Sequence, residues 1–190
     1  LALLWANTSS LYNLRRLDVL SFYLPWYQEL GERLRAFDLP GWMPYTLSGV
    51  PFAGDPQSSW AYLPAMVAFT ISPDLTGYNL FLGFHVVLAA AGTYLYARVI
   101  GMRAVGALMA SVAFTFGNLT ERIACCTIHL EVAVWIPTVY LAFEMMLRAT
   151  TRRAQFGWLI LAGFCTGQMM AGWIGQGAYY GALAVTAYAI

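Results

Sequence analysis

Long apolar stretches separated by short polar turns fill the second half of the chain. Stretches of about 17 to 24 residues are long enough to cross the ~30 Å hydrocarbon core of a lipid bilayer. The opening residues, 1–6, have the same character and are interpreted as the end of an earlier span. The pattern predicts an all-α integral membrane protein, a polytopic helical bundle with transmembrane helices at about 75–99, 104–120, 127–147, 155–172 and, truncated, 177–190.

A long first loop, 7–74, precedes these spans. Its part 60–71 is apolar but too short to cross and contains Pro64, so we expect an interfacial helix there. Ser72-Pro73-Asp74 then predicts a helix start, with the serine as the capping residue.

The centre of this loop, "DLPGWMPYTLSGVPFAGDPQ" at 38–57, is rich in proline, which fixes φ, and in glycine, which permits tight bends. A connector of this length without regular structure is uncommon unless it has a function. We predict that it forms a wall over a reaction site, with Trp42 and Gln57 as substrate contacts. We expect Trp42, Tyr45 and Phe52 to anchor it at the membrane interface.

Arginine positions predict the orientation. Arg98 and Arg103 flank the turn between the first two complete spans, and Arg148, Arg152 and Arg153 crowd the turn between the third and fourth. Two spans separate these turns, so both lie on one side, which the excess of arginine assigns to the cytoplasm. The long loop is therefore expected to be extracytoplasmic.

The composition fits a membrane protein and excludes one class of partner. The 190 residues are 60% hydrophobic and 10% charged, and all ten basic residues are arginine. No nucleic-acid partner is expected, since such a protein needs a clustered basic face. Because both ends fall within apolar runs, we expect a piece of a longer protein. The three cysteines are interpreted as small buried hydrophobes.

Ionisable side chains inside apolar helices are costly, so each of them needs a reason. Glu144 has Arg148 one turn later, which predicts an ion pair, and His85 is interpreted as a packing residue. Arg122, His129 and Glu131 cluster at the outer end of two helices and form a candidate site for a lipid phosphate. The alternative is a salt-bridged helix corner, in which Arg122 pairs with Glu121 or Glu131.

Asp18 lies just beyond the first span. Alone it would be a solvated loop acid, but Tyr23, Pro25, Trp26 and Tyr27 follow it. These aromatic residues resemble an interface belt that would hold Asp18 at the level of the lipid headgroups. Sugar-binding sites also favour such aromatic platforms, although a belt explains them without a sugar.

Together these features resemble the amino-terminal part of the bacterial YfhO-type multispanning membrane proteins, relatives of the glycosyltransferase C superfamily. The resemblance runs over essentially the whole chain. It rests on Asp18, "P-W-Y…G-W-x-P-Y…G-x-P-F…Q…Y-x-P", Arg98 with Gly101, His129-x5-Trp135-Ile136-Pro137, and a Gly/Gln turn from Gly172 to Gln176. One departure is clear: a turn that commonly reads Gly-His-Pro-Gln in the family reads "GWIGQ" here, so no catalytic histidine is carried over to it.

The resemblance implies a glycosyltransferase C-like fold in the bacterial inner membrane. It also implies transfer of a sugar from a polyprenyl-phosphate carrier to a cell-envelope glycan or polymer on the outer face. Asp18 matches the superfamily's catalytic aspartate, and Gln176 is a further candidate substrate contact. Arg122 or His129 would stabilise the departing phosphate. No compact metal-ligand cluster is present, so the cofactor is open and a divalent cation is possible.

Two other functions stay open. A transporter or flippase of lipid-linked glycans would need polar residues at mid-membrane depth, for which Asn79, His85 and Gln168 are the candidates. A non-catalytic subunit of a membrane assembly is the other alternative.

Overall fold

The computed structural model describes residues 18–117 and 127–189, which are predominantly helical. A π-helical turn, Val19–Tyr23, leads directly into the first α-helix. The described elements are α1 (Leu24–Arg35), β1 (Trp42–Met43), β2 (Val50–Pro51), α2 (Leu63–Ile71), α3 (Leu75–Val99), α4 (Ala104–Phe116), α5 (Thr127–Ala133), α6 (Ile136–Arg148), α7 (Arg152–Gly172) and α8 (Gln176–Ala189). The predicted span end at 1–6, residues 118–120 of the second predicted span, Arg122 and Ile190 lie outside the described residues.

By length and composition, two of the described helical stretches could cross a membrane. One is α3, whose 25 residues coincide with the predicted 75–99, and the other is the 22-residue stretch Thr127–Arg148, which contains α5 and α6. The apolar helix α4 is shorter, at 13 residues. Helix α7 begins three residues before the predicted start, because the Thr151 hydroxyl accepts a hydrogen bond from Ala154 N at 3.3 Å and caps it.

The predicted helix 127–147 is interrupted at Val134 and Trp135. Pro137 has no N–H to donate to the carbonyl of Ala133, so the regular bonding pattern cannot continue there. Trp135 N bonds instead to Val132 O at 3.3 Å, a tighter turn, and α6 starts afresh with the proline in its first turn. Farther along α6, Glu144 and Arg148 form the predicted ion pair at 2.5 Å.

The capping residue of α3 differs from the prediction by two positions, although the helix begins where predicted. Asp74, not Ser72, is the capping residue: its Oδ1 accepts from Thr76 N at 2.7 Å and Gly77 N at 3.2 Å. Ser72 donates its hydroxyl proton to the same oxygen at 2.7 Å. This hydroxyl is the main cause that lowers the pKa of Asp74.

The aromatic residues that follow Asp18 form part of the buried core, which corrects their interpretation as an interface belt. Tyr23, Trp26 and Tyr27 are 4%, 2% and 0% exposed. They fall on one face of the continuous helix formed by the π-helical turn and α1, because residues three and four positions apart align along a helix. Trp26 packs against Phe52 at 4.8 Å between ring centroids. Phe52 is itself fully buried, so it is not an interface anchor.

Tyr27 packs against α2 and α3, with ring-centroid distances of 5.0 Å to Phe69 and 5.5 Å to Phe81. Burial of side chains of this size contributes roughly 1.5–3 kcal/mol each. These contacts are a main source of cohesion between α1, α2 and α3.

The proline- and glycine-rich loop contains more regular structure than predicted. A minimal antiparallel hairpin pairs Trp42 with Pro51 and Met43 with Val50. Its tip turns through Leu47, Ser48 and Gly49, all with positive φ. Glycine adopts such φ values at little cost, whereas the other two residues are strained there.

Gly31 marks the closest approach between α1 and α2. A Cβ atom at this position would lie 2.2 Å from the carbonyl oxygen of Phe69. We therefore expect Gly31→Ala to separate the two helices and to lower the free energy of unfolding by roughly 1–3 kcal/mol. Thermal unfolding in detergent, followed by tryptophan fluorescence, measures the effect.

Gly83→Ala in α3 is the matched control, because a Cβ atom there meets nothing within 4 Å. Alanine favours a helix over glycine by about 1 kcal/mol, so the control should keep or gain stability. Equal melting temperatures for the two variants would contradict the close approach.

Candidate functional site

A cavity of about 480 Å³ lies where four distant parts of the chain meet. Its polar lining residues are Asp18, Gln57, His129 and Gln176, which come from the turn before α1, the end of the long loop, α5 and the start of α8. The other lining residues are mostly aromatic or aliphatic: Phe22, Tyr23, Ile128 and Trp173. The cavity has the size and the mixed lining that are typical of a small-molecule site.

Asp18 lies at the exposed edge of this cavity. Its backbone is already helical, with φ −62° and ψ −36°, and its carboxylate makes no capping hydrogen bond to the helix that follows. Phe22 and Tyr23, four and five residues later, line the same cavity. The helical turn therefore presents the carboxylate beside two aromatic rings, where it is accessible to a ligand.

Gln57 is held by its neighbours. Its backbone N–H donates to Asp55 Oδ1 at 2.7 Å, a local turn that sets the direction of the chain. The Tyr23 hydroxyl lies 3.4 Å from Gln57 Oε1, so the amide side chain stays beside α1. Pro56, one residue earlier, accepts a hydrogen bond from Ile174 N at 3.2 Å. The end of the loop is therefore attached to the turn that carries Trp173 and Gln176.

His129 faces the cavity from α5 and is half-buried. Its ring meets Trp173 edge to face, with the centroids 4.9 Å apart. Gln176 is the first residue of α8 and is exposed. Gly175 reaches the required turn with a φ of +102°, which glycine adopts without strain. An imidazole, an indole and an amide therefore form the part of the cavity lining that comes from α5, the turn after α7 and the start of α8.

Glu131 is not among the residues that line the cavity. Its side chain is fully buried and has hydrogen-bond partners there: Tyr27 donates its hydroxyl proton to Oε1, and Ser59 Oγ lies 2.6 Å from Oε2. Ser59 Oγ is also 3.1 Å from the carbonyl oxygen of Gly172, at the end of α7. We call Tyr27, Ser59, Glu131 and the Gly172 carbonyl the carboxyl cluster.

Two features show how closely the carboxyl cluster is packed. A Cβ atom at Gly172 would lie 2.7 Å from Glu131 Cβ, so only glycine fits there. Ser59 adopts a φ of +51° and is 2% exposed. A strained non-glycine residue of this kind costs about 1–3 kcal/mol and persists only where the surroundings hold it.

A second buried network adjoins the first. Trp135 Nε1–H donates to the Tyr62 hydroxyl at 2.9 Å, and that hydroxyl lies 2.6 Å from His85 Nε2. His85 Nδ1 lies 2.6 Å from the carbonyl oxygen of Phe81, which can only accept. His85 therefore carries its proton on Nδ1 and accepts from Tyr62, a neutral packing histidine as predicted.

Two predicted substrate contacts have other positions. Trp42 lies in the hairpin, 52% exposed, and its indole covers Gly49 rather than lining the cavity. Arg122 lies outside the described residues. Asp18, Gln57, His129 and Gln176 are brought together, whereas Glu131 lies in the buried carboxyl cluster.

Sequence reasoning missed some of the residues that shape the site. Trp173 was not singled out, although it stands within the Gly/Gln turn. Ser59 carried no recognisable pattern, since a serine after Gln57 and Ser58 resembles an ordinary polar turn. Its role follows only from contacts with residues 72 and 113 positions away.

A larger, apolar groove of about 530 Å³ lies between α2, α3 and α7. The lining includes Leu63, Val67 and Ile71 of α2, Phe84 of α3 and Phe164 of α7. Trp135 also contributes to the lining. The groove can hold an aliphatic chain, but the groups that could perform chemistry lie in the smaller, polar cavity.

Among residues 18–117 and 127–189, no group of three or more His, Cys, Asp or Glu side chains is arranged to hold a metal ion. No protein-family model matches this chain, and comparison with curated proteins and with solved structures likewise finds no match. The resemblance to the YfhO-type proteins therefore stays a prediction that rests on the residues of this chain alone.

The carboxyl cluster predicts the effect of Tyr27→Phe. This change removes the phenol that donates to Glu131 and leaves a buried oxygen without its donor, which costs about 1–3 kcal/mol of unfolding free energy. Tyr45→Phe is the control, because Tyr45 is 81% exposed. Equal thermal stability of the two variants would mean that this hydrogen bond does not stabilise the fold.

The same substitution has a pH dependence. Burial, and secondly the nearby Glu131, raise the pKa of Tyr27 well above its ordinary value of 10.0. The stability that the neutral phenol contributes is therefore complete below pH 10.0 and is lost as the pH rises through the raised pKa. Tyr27→Phe should weaken this alkaline loss but not abolish it, since burial also raises the pKa of Tyr62. Melting temperatures across the alkaline range measure the difference.

Proposed function

We propose that this chain is part of a membrane glycosyltransferase that moves a sugar from a polyprenyl-phosphate carrier to a cell-envelope acceptor on the outer face of a bacterial inner membrane. One observation supports the proposal above all. Asp18, Gln57, His129 and Gln176 are far apart in the sequence, yet they line a single cavity. Each is a candidate site residue from the sequence, by its chemistry, by its place in the long loop or by the family resemblance.

The lining suits a phosphate-linked sugar. The amides of Gln57 and Gln176 offer donors and acceptors to sugar hydroxyls. The faces of Tyr23 and Trp173 offer apolar platforms with a polar edge. The His129 imidazole can donate an N–H to a phosphate oxygen. The apolar groove between α2, α3 and α7 suits an isoprenoid chain.

In the proposed reaction Asp18 acts as the general base. The acceptor hydroxyl oxygen forms a bond to the anomeric carbon of the sugar, and the hydroxyl proton passes to the Asp18 carboxylate. The bond from that carbon to the phosphate oxygen breaks, and the carrier phosphate leaves with the electron pair. His129, and Arg122 as predicted from the sequence, would stabilise the charge that develops on the phosphate.

The transporter alternative receives less support from the described residues. Two of its candidate groups are engaged in structural hydrogen bonds. His85 bonds to Tyr62 and to the Phe81 carbonyl, and Gln168 Oε1 accepts from Leu63 N at 3.0 Å. The apolar groove beside Gln168 lacks the row of polar groups that a glycan path would need.

Asp18→Asn tests the catalytic assignment. The amide keeps the size of the side chain but cannot accept the proton, so transfer should fall by about 10²- to 10⁴-fold. Incorporation of labelled sugar from a polyprenyl-phosphate donor in proteoliposomes measures the rate. Asp38→Asn is the control, because Asp38 is an exposed acid of the same loop, paired with Arg33 at 3.0 Å. Near-normal transfer by Asp18→Asn would refute the assignment.

The proposed orientation has a separate test. In a background without the native cysteines, Ser48→Cys at the hairpin tip should react with a membrane-impermeant maleimide added outside intact cells. Thr150→Cys, between α6 and α7, should react only after the membrane is permeabilised. Both positions are exposed, so accessibility to the reagent is decided by the membrane alone. The reverse pattern would put the cavity on the cytoplasmic side.

A further inference from the structure

The carboxyl cluster contains three close oxygen–oxygen contacts. Tyr27 contacts Glu131 Oε1, Ser59 contacts Glu131 Oε2 at 2.6 Å, and Ser59 contacts the Gly172 carbonyl oxygen at 3.1 Å. Tyr27 and Ser59 supply one proton each, and a carbonyl oxygen supplies none. With a neutral Glu131 each contact is a full hydrogen bond with a proton of its own, whereas an ionised Glu131 leaves one serine proton for two acceptors.

A neutral glutamic acid satisfies every group in this cluster. Glu131 Oε2–H donates to Ser59 Oγ, and the Ser59 hydroxyl donates to the carbonyl of Gly172. The Tyr27 hydroxyl donates to Oε1. An ionised Glu131 would take the Ser59 proton for itself and leave the Gly172 carbonyl, at a helix end, without this donor.

The surroundings of Glu131 agree with a neutral side chain. Among the described residues, Tyr27 faces it from α1 and Tyr62 interacts with it electrostatically from the end of the long loop. Its own helix carries His129, which lies in the cavity, and α3 contributes His85 only through Tyr62. The partners of the carboxyl group in this part of the chain are thus hydroxyl groups.

We propose that Glu131 acts as a neutral carboxylic acid whose proton fastens Ser59 to the end of α7 and thereby positions Gln57 in the cavity wall. Ser59 lies two residues after Gln57, and its positive φ is held by these bonds. The second attachment of the loop end, from Ile174 N to Pro56 O, adjoins the same end of α7. Glu131 is thus a positioning residue. That it places Gln57 for a bound sugar rests on the proposed function, whereas the attachment of the loop to α7 does not.

Glu131→Gln gives the decisive comparison. A glutamine amide can donate to Ser59 and accept from Tyr27, as the neutral acid does, but it cannot ionise. Glu131→Ala and Ser59→Ala remove the attachment. Ser58→Ala is the matched control, because Ser58 is equally buried but donates to the Asp55 carbonyl at 2.9 Å instead.

The attachment of the loop end to α7 can be measured without any substrate. The measurement is hydrogen exchange of the backbone amides from Ala53 to Tyr62, with the protein in lipid nanodiscs. Relative to wild type, we expect exchange to rise by about tenfold or more in Glu131→Ala and Ser59→Ala, and to stay unchanged in Glu131→Gln and Ser58→Ala. If Glu131→Gln instead loosens the loop as much as Glu131→Ala, a neutral donor at this position does not hold the loop, and the proposal is wrong.

An infrared spectrum separates this role from simple packing. The infrared band of a protonated carboxylic acid, present in wild type at neutral pH, should disappear in Glu131→Gln; its absence from wild type would overturn the proposal as well.

If the loop is attached as proposed but Asp18→Asn remains active, the positioning role stands and the glycosyltransferase proposal fails. If Asp18→Asn is inactive but Glu131→Gln loosens the loop, the glycosyltransferase proposal stands and the positioning role fails. The two proposals are therefore tested independently.

Discussion

The bond from Ser59 to Glu131 joins parts of the chain that local structure alone would leave apart. It links the end of the long loop to α5, and through the Gly172 carbonyl to α7. Tyr27 extends the connection to α1. Since Gln57, His129 and Trp173 each lie within two residues of a member of this cluster, the width of the cavity depends on it.

The cluster can exist only because apolar packing surrounds it. Trp26, Phe52 and Phe69 are each no more than 2% exposed and exclude water from this region. In such surroundings a polar group without a partner is costly, so the cluster must be complete to be stable. Tyr62, Trp135 and His85 meet the same requirement with a second chain of hydrogen bonds, in which every ring nitrogen has a partner.

Much of this arrangement could be predicted from the sequence. The features that could not be predicted share a physical cause, which is that they depend on contacts between distant parts of the chain. The bounds of α3 and the Glu144–Arg148 pair follow from short-range periodicity, which the sequence displays directly. Residue chemistry, loop position and the family resemblance marked Asp18, Gln57, His129 and Gln176 as candidates, although their convergence could not be derived. Tyr27 was interpreted as an interface residue because burial depends on which helices pack against it. The roles of Ser59 and Glu131 depend on contacts that span 72 residues or more, which a single sequence does not reveal.

Helix α8 connects the two ends of the described bundle mechanically. Gln176 begins it at the cavity, and Tyr188 near its other end stacks on Tyr140 at 4.6 Å and donates to Glu144 at 2.8 Å. The twelve helical steps from Gln176 to Tyr188 span about 18 Å, and the helix resists compression because its backbone hydrogen bonds run along the axis. The position of Gln176 at the cavity therefore depends on the contacts of Tyr188 at the other end of α8. A change in those contacts would shift α8, and Gln176 with it, as a rigid body.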